Sequence, residues 1–571
     1  MKFKFVFSIL GSFYFVLNGC ATNKPNALTT GSADPEHSPS VIEYVVKYES
    51  PSTLEVQASF AADSSGTTAV VLPAGMYERD KRYEKMSDLR LAGNDVKIDD
   101  PGHGNSISIL SPPDKLIHLS YKLSPRATQG GFEADFPTIN DTYVHFNGSM
   151  LLHPERFATI SAHVIINWDL PKKWTLANSY GSEKRRQEFE GNFGKTSIGN
   201  IYDTVFVAGD FRVYSLDIFS HSVVFAVRGN WKFSDKELTE VVRKVIAGQR
   251  TFWNDFDEPY YFAALVPNGK VCCRIGGHGL TQSFSAYLSE RDQSLDRFTH
   301  VLSHEHFHHW TGEKIAPEAW EQTYWFTEGF TEYYSWKINL MIGILNYEDF
   351  VDAVNTAIYK YYSSDKRLAT NVEAGNGMNK EGAYTVLNYY RGMLVASEWD
   401  AEIRRKSHGA KSLHDLMLSL YDETGKSGKL LTNAIVEKVF AEYVGTEAKT
   451  RFENDVVSGK LIRPSDDALG PCAHVVDKKI NRYDLGFVNG PTKISKLNPN
   501  GNGYAAGLRD GQEILDEKFK DFVPWDPVSL QVRDQAGARW ITYYSVTGDT
   551  IEMPMYIVDR KDPDRCKSWY Q

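Results

Sequence analysis

Cysteine is scarce in this chain: five in 571 residues, at positions 20, 272, 273, 472 and 566, and never in a Cys-x-x-Cys pair. That scarcity excludes a disulfide-dense scaffold and argues against a cysteine-held metal or dithiol redox centre. Positive charge is not in excess either. The 63 Lys and Arg face 73 Asp and Glu, for a formal net charge of −10, which argues against nucleic acid as partner because a phosphate backbone needs a basic face. Beyond the first twenty residues no stretch approaches the roughly 18 charge-free apolar residues of a membrane-spanning helix. What is present is the composition of a folded protein, 42 % hydrophobic with 31 Tyr, 31 Phe and 12 Trp. The length predicts about three or four domains.

The start reads as an export signal. Lys2 and Lys4 precede a run, residues 5–17, that is apolar except for Ser8 and Ser12 and ends Leu17-Asn18-Gly19-Cys20. A small residue directly before cysteine resembles a bacterial lipobox. The expectation is a signal over residues 1–20, lipidation at Cys20, and a cell-envelope lipoprotein anchored at the outer membrane or in the periplasm, with plain secretion as the alternative. Residues 21–40, rich in Pro, Ser and Thr, read as a flexible tether.

Period-2 patterns then run from residue 41 to 228 and predict an antiparallel N-terminal β domain. Near residue 233 the period changes to 3.6, with Ser234 a candidate N-cap, and residues 229–453 predict a mostly helical body. Short strands return over 454–560, and 561–571 read as a polar tail. The fold class expected is multidomain α+β. Cys472 and Cys566 leave open either a disulfide or two free thiols.

The chemistry concentrates in Leu302-Ser303-His304-Glu305-His306-Phe307-His308. On a helix His304 and His308 stand one turn apart on one face. Two neutral imidazoles there bind Zn²⁺, and the Glu305 carboxylate beside them takes a proton from attacking water. Because His300, His306 and His309 lie close by, a solvated His/Glu stripe is the plain alternative. The following segment favours the metal. In Trp325-Phe326-Thr327-Glu328-Gly329-Phe330-Thr331-Glu332, Glu328 falls 20 residues after His308, far enough for the chain to return with a third ligand. Glu332, one turn on, would accept the spare ring N–H of His304.

These two segments resemble the M61 glycyl aminopeptidase family of gluzincin metallopeptidases. The resemblance implies a β-rich N-terminal domain, a thermolysin-like catalytic domain and a C-terminal PDZ domain. It implies one zinc ion on His304, His308 and Glu328, with Glu305 as general base and Glu332 orienting His304. Tyr389-Tyr390-Arg391-Gly392 is similar to the segment that supplies a catalytic tyrosine in related aminopeptidases, and matching on the glycine selects Tyr389, with Tyr390 second. The cleft strand of the family commonly reads Gly-Gly-Leu-Glu-His. Here it reads Gly276-Gly277-His278-Gly279-Leu280-Thr281-Gln282-Ser283, so Gly277, Leu280, Thr281 and Gln282 are expected in the cleft without the usual acidic amine anchor. Either another acid supplies that charge, with Glu318 and Glu321 as candidates, or the cleft continues past this point and admits longer chains. Leu485-Gly486-Phe487 resembles the carboxylate-binding loop of a PDZ domain, and residues 505–515 resemble its short helix and next strand.

The reading that follows is a zinc peptidase, most simply an aminopeptidase acting on exported or periplasmic peptides. Because the anchor differs, an endopeptidase or dipeptide-releasing enzyme stands as the alternative. A PDZ-type polypeptide-binding protein with a structural zinc is the non-enzymatic reading. Partners expected are a peptide or polypeptide substrate, a peptide C-terminus at the PDZ-like domain, and a lipid anchor.

Overall fold

The computed structural model describes residues 40–72, 86–93, 96–99, 106–125, 137–180, 184–194, 201–202, 204–257, 260–269, 275–280, 282–291, 294–378, 380–489, 492–559 and 563–570. The export segment, Cys20, nearly all of the tether, the adjacent Cys272 and Cys273, and Thr281 lie outside them. No described helix is long and apolar enough to cross a membrane.

The N-terminal part is β. Its largest sheet orders six strands as Arg186–Gly191, Ala162–Asp169, Val41–Ser50, Thr53–Ala61, Leu116–Leu123 and Met86–Leu91. Alternation along these strands sends Ile42, Tyr44, Val46, Leu54, Val56, Leu119 and Tyr121 into one core, as a side-chain period of two requires. The buried tyrosines keep their hydroxyls satisfied, Tyr44 donating to the Leu152 carbonyl at 2.9 Å and Tyr121 to that of Met150 at 2.9 Å.

A five-stranded mixed sheet follows, ordered Arg212–Ile218, His221–Val227, Tyr260–Pro267, Ser283–Leu288, Ile275–Leu280. Its two faces divide the molecule. Val223, Phe225 and Val227 face the helices through Leu238, Val242, Phe298 and Leu302. Val224 and Ala226 meet Val205, Val207 and Tyr143 of the N-terminal part. A boundary at residue 228 is therefore corrected: the hairpin of Arg212–Ile218 and His221–Val227 hydrogen-bonds to Tyr260–Pro267 and belongs to the catalytic sheet. Its strand pattern is the same on either side of that boundary, so periodicity could not separate it.

The helices around the candidate site include α1 (Asp235–Trp253), α2 (Leu295–Phe307), α3 (Trp320–Thr327), α4 (Gly329–Met341), α5 (Tyr347–Ser363), α6 (Asn371–Gly377), α7 (Gly382–Val386) and α8 (Gly392–Lys406). Ser234 caps α1 as expected, in a reciprocal capping box with Glu237. At Glu328 the chain passes from α3 into α4.

The C-terminal stretch forms a three-stranded sheet, Glu513–Lys518, Pro527–Asp534 and Gly537–Tyr544, and a long ribbon of Ala473–Tyr483 with Val546–Val558. That ribbon is built into the helical body. Asn355 of α5 exchanges two hydrogen bonds with the Tyr556 backbone, at 2.9 and 2.8 Å. The polar tail is also corrected: Pro563–Tyr570 is a helix, fastened by a Cys472–Cys566 disulfide, and Trp569 packs against the main helical core.

Candidate active site

α2 turns Phe298 and Leu302 into the sheet and sets His300, His304 and His308 on successive turns of another face. His304 Nε2 and His308 Nε2 lie 3.1 Å apart. Glu328 Oε2, delivered by the break between α3 and α4, is 3.3 Å from the first and 3.5 Å from the second. The outer ring nitrogens are committed elsewhere: His304 Nδ1 donates to Glu332 Oε2 at 3.1 Å and His308 Nδ1 to the Thr311 carbonyl at 2.9 Å. Those partners only accept. When both rings are neutral they therefore aim an Nε2 lone pair at each other and at a carboxylate oxygen, an arrangement that repels itself unless a proton or a metal ion lies between. Two imidazoles and one carboxylate suit zinc and leave a coordination position open.

The local field agrees. Burial works against charge on His304, but its hydrogen bonds to Glu328 and Glu332, with the charges of Glu332 and Glu305, outweigh it and push the imidazole up to about 10. Burial likewise opposes ionisation of Glu328 and Glu332, yet the imidazoles hold both below the usual carboxylate range. The pocket attracts positive charge, which protons or a metal ion can supply.

Glu332 carries more than its expected role. One oxygen accepts from His304 and from His300 Nε2, each at 3.1 Å, and the other accepts Trp336 Nε1 at 3.1 Å. His300, which stacks on Trp336 with centroids 4.3 Å apart, was not singled out from sequence. Its one-turn spacing before His304 was the signal available.

Glu305 faces the edge strand Ile275–Leu280. A Cβ built at Gly277 would sit 2.4 Å from Glu305 Oε1, so only glycine leaves room for that carboxylate. Leu280 ends the same strand. Gln282 is buried, with φ of 50°, and its carbonyl accepts the Phe262 N–H at 3.0 Å in the hairpin turn. Glu318 and Glu321 are exposed and do not join the buried cluster.

Tyr389 reaches the site through a close helix contact. A Cβ on Gly329 would lie 2.4 Å from Gly392 Cα, and one on Gly392 would lie 2.2 Å from the Trp325 carbonyl oxygen. With neither present, the wide π-type turn Leu387–Arg391 lies against α3 and α4. The Tyr389 ring stacks 5.4 Å from that of His304, 12° from parallel. Burial, then the charges of Glu328 and Glu305, raise its phenol well above the ordinary tyrosine value. Tyr390 points elsewhere and accepts from Lys360 Nζ at 2.8 Å. Leu485, Gly486 and Phe487 belong to the C-terminal module. The Gly486 N–H donates to Asp484 Oδ1 at 2.9 Å, and Phe487 fills the small core with Leu508 and Leu530.

Residues 284–438, which carry every histidine and glutamate of this cluster and Tyr389, match the Peptidase family M1 domain. No curated protein sequence matches the chain. Among solved structures, an aminopeptidase N family protein from Idiomarina loihiensis is similar in fold, at 15 % identity and a TM-score of 0.70, covering 93 % of this chain and 100 % of that one. An M1 zinc metallopeptidase from Deinococcus radiodurans is 12 % identical over 74 % of this chain and 95 % of its own, with a TM-score of 0.47. The chain is a zinc metallopeptidase, and zinc is its cofactor. The multidomain α+β architecture, an N-terminal β part joined to a helical body, is that of the Idiomarina protein.

Proposed function

We propose that the enzyme is an aminopeptidase resembling the M61 type, with zinc held by His304, His308 and Glu328. The observation that carries the reading is the convergence of those three donors beside Glu305 and Tyr389. Zinc in such a site polarises a carbonyl and makes water a better nucleophile. Glu305 accepts the proton of that water and returns it to the leaving amine. The Tyr389 hydroxyl donates to the oxyanion as it develops. Glu332 fixes the His304 tautomer, and the missing side chain at Gly277 leaves space for the Glu305 carboxylate. A peptide extends along the edge strand Ile275–Leu280 by backbone pairing.

Free-amine and N-acetylated forms of one peptide test the reading on zinc-loaded enzyme. Cleavage at least about tenfold better with the free amine, roughly 1.4 kcal/mol of discrimination, is expected. Equal cleavage, or internal cuts in a long unfolded chain, would replace aminopeptidase by endopeptidase. That second reading is favoured by one observation: Glu318 and Glu321 are exposed and supply no buried anchor for an amine.

The C-terminal module is proposed to be PDZ-like, on the short helix Asn502–Ala505 followed by the strand Glu513–Lys518. Its role in this reading is to cover the cleft, since the Gly486 N–H already serves Asp484. Export and lipidation at Cys20 complete the proposal and place the substrates among exported or periplasmic peptides. Cys20→Ser is expected to yield protein without lipid mass, released from the envelope. Wild-type protein whose mature N-terminus carries no lipid by mass spectrometry would show plain secretion instead.

A further inference from the structure

We propose that a cavity beside Tyr389 binds the C-terminal carboxylate of a short peptide, so that the enzyme selects substrates by their free C-terminus and their length. The inference rests on the peptidase reading above. The cavity has a volume of about 640 Å³, and its lining includes Tyr389, Tyr390, Lys360, Asp365, Arg482 and Phe522. Tyr389 is thus shared between it and the metal cluster. Lys360 donates to the Tyr390 hydroxyl at 2.8 Å, and its ammonium stands 4.5 Å from the Tyr390 ring centroid and 5.5 Å from that of Phe522. Arg482 donates to the Ser363 carbonyl at 3.3 Å. Among the described residues neither cation has a carboxylate within ion-pair distance, although Asp365 is on the same wall. Two cations against one acid leave the cavity with positive charge and an aromatic lining. A ligand carboxylate would pair with these cations.

The distances suit a short peptide. The Tyr389 and Tyr390 ring centroids are 6.4 Å apart, and the Lys360 ammonium is 4.5 Å from the second. Two or three extended residues, at roughly 3.3–3.6 Å each, span from a scissile carbonyl near Tyr389 to the ammonium. Arg482 lies near the end of the ribbon strand Ala473–Tyr483 and Phe522 between the strands Glu513–Lys518 and Pro527–Asp534, so the C-terminal stretch supplies part of the wall and would limit substrate length. Recognition of the far carboxylate would also anchor the substrate where Glu318 and Glu321 do not, both being exposed.

Zinc-loaded Glu305→Gln protein, which binds without turning over, provides the test by calorimetric titration with three peptides: tri-alanine, tri-alanine amide and Ala-Ala-Glu amide. Tri-alanine is expected to bind at least about tenfold tighter than its amide. Adding Lys360→Met or Arg482→Met should reduce that preference to about threefold or less while leaving affinity for the amide unchanged. Arg482 is exposed, so its variant keeps the test open if the lysine variant fails to fold. Equal affinity for acid and amide overturns the proposal, as does a preference that survives in every folded variant. Binding of Ala-Ala-Glu amide as tight as that of tri-alanine would assign the cavity to acidic side chains and overturn the terminal assignment. Acid-selective binding without any turnover by the wild-type enzyme supports the cavity and overturns the peptidase reading. Turnover without acid selectivity does the reverse.

Discussion

A glutamine at position 305 keeps the size of the side chain and loses its ability to take a proton. Glu305→Gln is therefore expected to retain zinc by metal analysis while kcat falls by about 10²–10⁴. Tyr389→Phe should lower kcat by about 10²–10³ with KM little changed, because in the proposed mechanism its hydroxyl acts on charge that develops in the transition state. Tyr390→Phe is the control. A kcat loss in that variant and none in Tyr389→Phe would move the role one residue on. At this scale the histidine pair and Glu332 were legible from sequence, because one-turn spacing on a helix is a local property. The choice between Tyr389 and Tyr390 rested on a resemblance alone. Neighbouring residues on a helix point about 100° apart, and the direction of each is decided by the π-type turn at Leu387–Arg391.

Between elements the site depends on two glycines. Gly329 follows a proposed ligand, and Gly392 lies three residues after Tyr389; their backbones pass close enough that a methyl group on either meets main-chain atoms. Gly392→Ala must push α8 away from α3 and α4, an overpacking that typically costs about 1–3 kcal/mol. The expected outcome is a lower unfolding midpoint together with weaker zinc retention against a chelator, since Glu328 sits at the same contact. Unchanged stability and zinc retention would show that the helices separate without cost. Helical periodicity located these helices but gave no reason to split one at Glu328, where continuous apolar spacing hides the break. The same local pattern hid the allegiance of the Arg212–Ile218 and His221–Val227 hairpin, because strand alternation does not say which sheet a strand joins.

In the whole molecule the C-terminal chain is tied back to the catalytic body. The Cys472–Cys566 disulfide closes a segment with a sequence separation of 94, a constraint that in the chain-entropy account stabilises by about 4–5 kcal/mol. Trp569 packs over Gly470 and within 4.7 Å of the Lys337 ammonium. Replacing both cysteines with serine is expected to lower the thermal midpoint and to loosen the helix Pro563–Tyr570, read as faster amide exchange there, while the folded enzyme keeps its kcat. An unaltered midpoint would mean that packing alone holds the terminus. Lys520 reaches Asp352 of α5 at 2.6 Å and Trp525 reaches the same carboxylate at 3.0 Å, which seats the C-terminal module against the helices. The sequence by itself pointed to the metal chemistry, the β-then-α order of the parts and the unusual cleft strand, because each shows in local spacing, in a change of period along the chain or in two short motifs close together in it. Tertiary structure decided which tyrosine meets the metal site, where Glu328 interrupts its helix, that His300 shares Glu332, and that Arg482 and Phe522 wall a cavity beside Tyr389. Those features depend on contacts between segments far apart in the chain, and local pattern carries no record of such contacts.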